Sequence, residues 1–372
     1  MRRSSAVSSL ALTLVSILGL VACGGDGGTA PDLSVETAGA YEAGVVEMTL
    51  TDDARQRELT LQLWYPALAE GGGGSIAIAD FADPAHRAAF TALVEAADPA
   101  CTTRTIAARW TPAPAPGPFP LIAFSHCHEC TRFSSMTVAA RLASHGFAVV
   151  TVDHTGNTLW DQIDMDGLPL DTTTLELRVA DLAFAIDHAA ELAQGAAVRL
   201  DSGPIGVFGH SFGSVTAGLY AQRNATTVGA AFGLAAPMEN PLLPGVTITS
   251  LPMPLGFLVA REDNSITELG NELIRGNYMR APGPAWKLEV ADAGHWSVSD
   301  LVGVVDGFAP GCGAGERQTD GSAFTYLDAA TGRGIAASYV TAFFKATLAA
   351  DAGAQAYLEA GRPSGTVTAE HR

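Results

Sequence analysis

Ser211 stands in Gly209-His210-Ser211-Phe212-Gly213, behind the β-branched and aromatic run 204–208 and ahead of a helix-compatible stretch, 214–223. A serine hydroxyl is a weak nucleophile at neutral pH. It needs a base to take its proton, and the base needs an acid to orient it. The strand-to-helix turn of a Gly-x-Ser-x-Gly segment is sharp enough to hold the serine in a strained conformation and lift its hydroxyl beyond the strand. Side chains in place of Gly209 and Gly213 would collide with the neighbouring strand and helix. The helix N-terminus beneath leaves backbone N–H groups free to meet a developing negative charge.

With this kind of turn, the partners are expected later in the chain, acid first and histidine second, each just beyond a strand. The apolar run 255–260 is followed at once by Arg261-Glu262-Asp263-Asn264, and 286–290 by Ala291-Asp292-Ala293-Gly294-His295. These positions assign Ser211 as nucleophile, His295 as general base and then acid, and Asp263 as its orienting carboxylate. The adjacent Glu262 stays open as an alternative acid, since it carries the same chemistry. Asp292 suits a turn, where an aspartate bonds its own backbone. His210 reads as a packing residue facing away from the hydroxyl, and His154, at a strand end, as a candidate for the pocket rim. His86, His145, His188 and His371 lie in surface-like contexts.

Stabilising a tetrahedral oxyanion takes two backbone N–H donors. Phe212 supplies one, and His128 in the loop 124–130 the other. A Cys127–Cys130 bridge would lock that loop. His126, Cys127, His128 and Cys130 are also of types that suit zinc, but they are too close in sequence to surround one ion, and free thiols remain a third possibility. The chemistry itself requires no metal and no organic cofactor.

The elements that must position these groups follow from hydrophobic rhythm. Alternation marks 45–51 and 58–65 as an antiparallel pair. Residues 75–110 form a helical insertion with its helix over 85–97, and the proline-rich 111–120 is a surface linker. Strands and helices then alternate: strands at 121–125, 147–153, 205–208, 228–236, 255–260 and 286–290, helices at 137–144, 175–194, 214–223 and 338–349. Fully apolar strands separated by helices imply an α/β fold, its mostly parallel sheet of about eight strands covered by helices on both faces. Residues 237–254 hold five prolines and suit a cap over the site. Residues 300–333 are a glycine-rich insertion.

Composition bounds the rest. Arg2, Arg3, the apolar run 10–21 and Leu20-Val21-Ala22-Cys23 look like a bacterial lipoprotein leader over 1–22, with Cys23 lipidated, and the apolar run is short for a membrane span. Residues 23–40 form a glycine-rich tether, 41–350 one catalytic domain with insertions near 71–118, 237–254 and 300–333, and 351–372 a C-terminal tail. The predicted location is therefore the bacterial cell envelope, reached through a lipid anchor. The net charge is −18, about −20 without the leader, and no basic stripe serves nucleic acid or anionic lipid. Four cysteines remain in an exported chain, which reads as two disulfides, Cys127–Cys130 with Cys101–Cys312 favoured among three pairings.

Over about 58–348 the chain resembles the α/β-hydrolase superfamily, and within it the predicted dienelactone hydrolases that are similar to platelet-activating-factor acetylhydrolase. The resemblance rests on Phe124-Ser125-His126, Arg132-Phe133-Ser134-Ser135, residues 142–147, Asp153-His154-Thr155-Gly156-Asn157-Thr158, the segment 209–213 and Gly294-His295-Trp296-Ser297. It implies the α/β-hydrolase fold and hydrolysis of carboxylic esters, often with short acyl groups. The chain departs from the pattern in Cys127 where glycine is usual, in Ser214 where a third glycine is usual, and in the insertion 300–333. True dienelactone hydrolases use a cysteine nucleophile, and Ser211 stands there. The leading expectation is a serine esterase acting on a small-molecule ester. A polyester hydrolase or lipase, with Trp160 or Trp296 as an aromatic clamp, is the second reading, and a binding protein on the same scaffold the third. Oligomeric state is not encoded in any of these features.

Overall fold

The computed structural model describes residues 29–69, 73–361 and 365–372. The leader, Cys23 and the start of the tether lie outside these residues. In chain order the strands are β1 (Glu42–Asp52), β2 (Arg57–Ala67), β3 (Ile76–Ala77), β4 (Thr105–Ile106), β5 (Arg109–Trp110), β6 (Leu121–Ser125), β7 (Ala148–Val152), β8 (Ile205–His210), β9 (Val228–Leu234), β10 (Leu255–Ala260), β11 (Ala285–Val290), β12 (Ala314–Glu316), β13 (Ala323–Thr325) and β14 (Val367–His371). The helices are α1 (Arg87–Ala96), α2 (Met136–Ser144), α3 (Leu159–Ile163), α4 (Thr172–Gly195), α5 (Phe212–Arg223), α6 (Thr267–Arg280), α7 (Ala329–Leu348) and α8 (Ala352–Ala360).

Among the described residues ten strands form one sheet in the order β14-β11-β10-β9-β8-β6-β7-β2-β1-β5. The run from β7 to β11 is parallel. Every residue of β6, β7 and β10 is buried, as their unbroken apolar sequences require of strands covered on both faces. Helices α2, α7 and α8 pack one face, and α4, α5 and α6 the other. The chain leaves β6 for β7 on one side and returns across it to place β8 on the other. Such a reversal opens a crevice at the carboxyl ends of the two strands. The loop after β6 and the turn after β8 flank it, which brings 124–130 and Ser211 to one place.

The sheet differs from the expected eight strands at its edges. Residues 351–372 are not a tail: they form α8 and then β14, which pairs antiparallel with β11 from Trp286–His371 to Val290–Val367. Five residues of alternating polarity carry a weak strand signal alone, but they satisfy the open hydrogen-bonding edge of β11. Helix α6 is also new, because Gly270 and Gly276 lower its helix propensity. Helix α7 starts at Ala329 rather than 338, with the Asp328 carboxylate accepting the Thr331 N–H as its cap.

Cys101 and Cys312 are bonded, their Cα atoms 5.7 Å apart across 211 residues of sequence. Around them the Thr102 hydroxyl donates to the Val302 carbonyl at 2.6 Å and Arg333 to that of Cys101 at 2.7 Å. The two insertions are thereby stapled together. Closing so long a loop contributes up to about 5 kcal/mol. The double substitution Cys101→Ser with Cys312→Ser should lower the melting temperature by roughly 5–10 °C. Calorimetry checks this, and an unshifted transition would show the link to be energetically idle.

Candidate active site

Ser211 sits between β8 and α5 with φ 55° and ψ −121°, a conformation that costs a non-glycine residue about 1–3 kcal/mol. The surroundings enforce it. The Ser211 N–H donates to the Leu234 carbonyl at 3.0 Å. A Cβ on Gly209 would strike the Gly213 carbonyl, and one on Gly213 the Ser125 carbonyl. Ser214, where a third glycine is usual, directs its hydroxyl to the carbonyls of Gly209 and Leu234 at 3.0 and 3.2 Å.

The carboxylate that reaches His295 is that of Asp263. Its Oδ2 lies 2.7 Å from His295 Nδ1, and its Oδ1 accepts the N–H groups of Ser265 and Ile266 at 2.9 and 3.0 Å. Both side chains are buried, so the carboxylate has one orientation and fixes one imidazole face. Glu262 is turned elsewhere, bonded to Arg317 at 2.8 Å and to the Gln318 N–H at 3.0 Å. Asp292 occupies a left-handed turn at φ 57° and pairs with the same Arg317.

Two supports of His295 were not legible as such. His210 is more than packing: its Nε2–H donates to the His295 carbonyl at 3.0 Å, and the two rings lie 5.0 Å apart. Burial pushes the His210 imidazole well below its ordinary range, with charge on His295 acting in the same sense. It is therefore neutral and holds a single N–H donor. The insertion 300–333 supplies the other brace. The Trp296 N–H donates to the Pro310 carbonyl at 3.0 Å, and the Ser297 hydroxyl to that of Gly311 at 2.7 Å.

Phe212 opens α5, where N–H groups have no partner inside the helix. Its ring meets that of His128 edge-on at 6.1 Å, so the two candidate donor residues adjoin. Cys127 and Cys130 are bonded, Cα atoms 5.2 Å apart. With both sulfurs joined to each other, neither is a thiolate ligand. The His126 ring is also committed: Nδ1–H donates to the Cys127 carbonyl at 2.7 Å, and Nε2 accepts the His154 N–H at 3.0 Å. The zinc alternative therefore lacks its ligands. The Asn157 amide donates to His128 Nδ1 at 2.7 Å, and the Leu159 N–H to the Cys130 carbonyl at 2.9 Å. The Gly-Asn-Thr stretch is thus the backing of the loop.

His154 is not at the rim. It is fully buried, 2.9 Å from Ser125 Oγ and 3.3 Å from Asp181 Oδ2. Ser125, His154 and Asp181 repeat the serine-histidine-aspartate pattern, yet all three are 0% exposed. Asp181 also binds Arg55 at 2.6 Å and Arg57 at 3.0 Å. No substrate can approach this second set. The proposed aromatic clamps are buried as well: Trp160 packs on Phe90 and His86, and Trp296 stacks on Phe308 at 4.0 Å.

Ser211 opens instead onto a cleft of about 260 Å³. Leu242 and Leu243, from the proline-rich stretch expected as a cap, form one wall, and Ile266, Leu269 and Leu273 of the α6 region another. Among the described residues no charged side chain lines it. The apolar spacing Ile266, Leu269, Leu273 was the available signal for this second wall.

The profile of a family described as Serine aminopeptidase, S33 matches residues 121–258. That span takes in the loop after β6 and the turn at Ser211, and ends before Asp263 and His295. No curated protein matches the chain in sequence. Among solved structures, a ferulic acid esterase from Streptomyces cinnamoneus is similar with a TM-score of 0.61 at 24% identity, over 87% of this chain and 93% of that one.

Proposed function

We propose that this chain, whose architecture is the α/β-hydrolase fold, is a serine hydrolase that cleaves neutral carboxylic esters through an acyl-enzyme. The observation that carries the reading is the 2.7 Å Asp263–His295 pair, tied through the residue 295 carbonyl to His210, the chain neighbour of a strained Ser211 that lines an apolar cleft. Ser211 Oγ attacks the ester carbonyl carbon while His295 Nε2 takes its proton, and Asp263 stabilises the imidazolium through Nδ1. The N–H groups of Phe212 and His128 receive the oxyanion. Its collapse expels the alcohol, which leaves with the proton from His295. Water activated by the same imidazole then releases the acid and restores Ser211.

An aminopeptidase would have to bind the free amino group of its substrate, and a buried ammonium needs a carboxylate partner. The uncharged lining of the cleft favours esters instead. The resemblance to dienelactone hydrolases and platelet-activating-factor acetylhydrolase belongs to this proposal, as does attachment to the cell envelope through Cys23. Short acyl groups suit the volume. Among p-nitrophenyl esters, kcat/KM for acetate or butyrate should exceed that for palmitate by at least about ten-fold; a steady rise with chain length would sink the short-acyl reading. One feature favours polyester or lipid substrates as the second reading: Leu170, Leu242 and Leu269 line the cleft while 48%, 80% and 68% exposed. Release of acid from polyester film, lost in the variant carrying Leu242→Ser and Leu269→Ser, would select it.

A further inference from the structure

Arg178, on α4, is a buried cation, 1% exposed, and its contacts gather around the two donor residues. Its Nη2 donates to the His126 carbonyl and, at 3.1 Å, to Ser125 Oγ. Its Nη1 donates to Asn157 Oδ1 at 2.6 Å, which turns the Asn157 amide nitrogen toward His128 Nδ1 at 2.7 Å. Its Nε donates to Thr216 Oγ1 on α5 at 3.2 Å. The guanidinium carbon stands 4.6 Å from the centre of the Phe212 ring. One planar cation therefore touches the loop after β6, the residue that orients His128, and the first turn of α5.

Among the described residues its hydrogen-bond partners are a carbonyl, hydroxyls and an amide, none of them a carboxylate. Asp181 is taken by Arg55 and Arg57. Burial pushes the Arg178 guanidinium down to about 9, with Asp181 opposing. A cation left in this state works against stability, so its contribution lies in what it orients. Resting on the hydrolase reading above, we propose that Arg178 is the positioning residue of the oxyanion hole: it holds the His128 donor, through the His126 carbonyl and Asn157, in register with the Phe212 donor that it covers. Its fork geometry matters as well as its charge, because a lysine ammonium cannot bond the carbonyl and the amide in one plane.

The test separates transition-state binding from ground-state binding. Arg178→Lys should lower kcat about 100-fold, the scale of one lost oxyanion donor, with KM within about three-fold of wild type. Affinity for an aryl trifluoromethyl ketone, which forms a tetrahedral oxyanion on the serine, should fall by the same factor as kcat/KM. Should Arg178→Lys fail to fold by circular dichroism, Asn157→Ala carries the test, with kcat about ten-fold down and ketone affinity falling with it. Either variant, folded, with wild-type kcat and ketone affinity overturns the proposal, as does a raised KM with kcat unchanged. Wild-type hydrolysis of p-nitrophenyl acetate and labelling by a fluorophosphonate keep the two questions apart. If both are present and the variants behave as wild type, only this inference fails. If both are absent, the hydrolase reading fails and takes this one with it.

Discussion

Ser211→Ala should abolish hydrolysis of p-nitrophenyl acetate, with kcat falling by about 10⁵–10⁶-fold, and should remove fluorophosphonate labelling altogether. The loss is large because in the proposed mechanism the hydroxyl forms the covalent intermediate, and among the described residues lining the cleft no other side chain replaces it. The fold should survive. The backbone constraint at φ 55° comes from the Ser211 N–H to Leu234 bond and from close packing at Gly209 and Gly213, none of which involves the side chain. A melting temperature within a few degrees of wild type, beside absent turnover, is the expected pair of results. Residual labelling of the alanine variant would point to another nucleophile and remove the assignment.

Asp263→Asn should lower kcat by roughly 10⁴-fold, about 5.5 kcal/mol of transition-state stabilisation. Asp263 Oδ2 fixes the proton on His295 Nδ1 at 2.7 Å, leaving Nε2 free to accept from a hydroxyl. An asparagine turned by the Ser265 and Ile266 N–H groups keeps its oxygen toward them and presents its NH2 to the imidazole. The opposite tautomer then forms, with Nε2 already protonated. Glu262→Gln should change kcat by less than about three-fold, because Glu262 serves Arg317 and the Gln318 N–H rather than His295. Steady-state kinetics of the two variants side by side decide between the carboxylates. A damaging Glu262→Gln with a mild Asp263→Asn would reverse the assignment.

The candidate site was legible where local sequence fixes local geometry. A glycine-flanked serine between an apolar strand and a helix can form only a tight turn, and acid and histidine just past two later parallel strands arrive at the same carboxyl end of the sheet by topology. The choice of Asp263 over Glu262 was legible only from depth: Asp263 lies one residue further beyond the strand, where the loop turns back toward His295, and its carboxylate is the one bonded there. His210 was legible as a packing residue but not as a brace, because its bond to the carbonyl of residue 295 joins positions far apart in the chain. Arg178 carried no signal at all: an arginine in a long amphipathic helix ordinarily faces water, and only the packed interior turns it inward. The edges of the sheet were hidden for a related reason. Strand β14 is too short to announce itself and is made a strand by β11. Helix α6 has the right apolar spacing but two glycines, so tertiary contact overrides its propensity.

The buried arrangement of Ser125, His154 and Asp181 bears on how reactive centres are sought in coordinates. A template that matches only oxygen–nitrogen–oxygen spacing would accept it, with separations of 2.9 and 3.3 Å. What disqualifies it is the lack of any volume for a reactant, together with two arginines that already hold its aspartate. Interatomic spacing is thus a necessary filter and a poor sufficient one. Access to solvent has to be scored alongside it, or a single polypeptide of this kind will be counted twice.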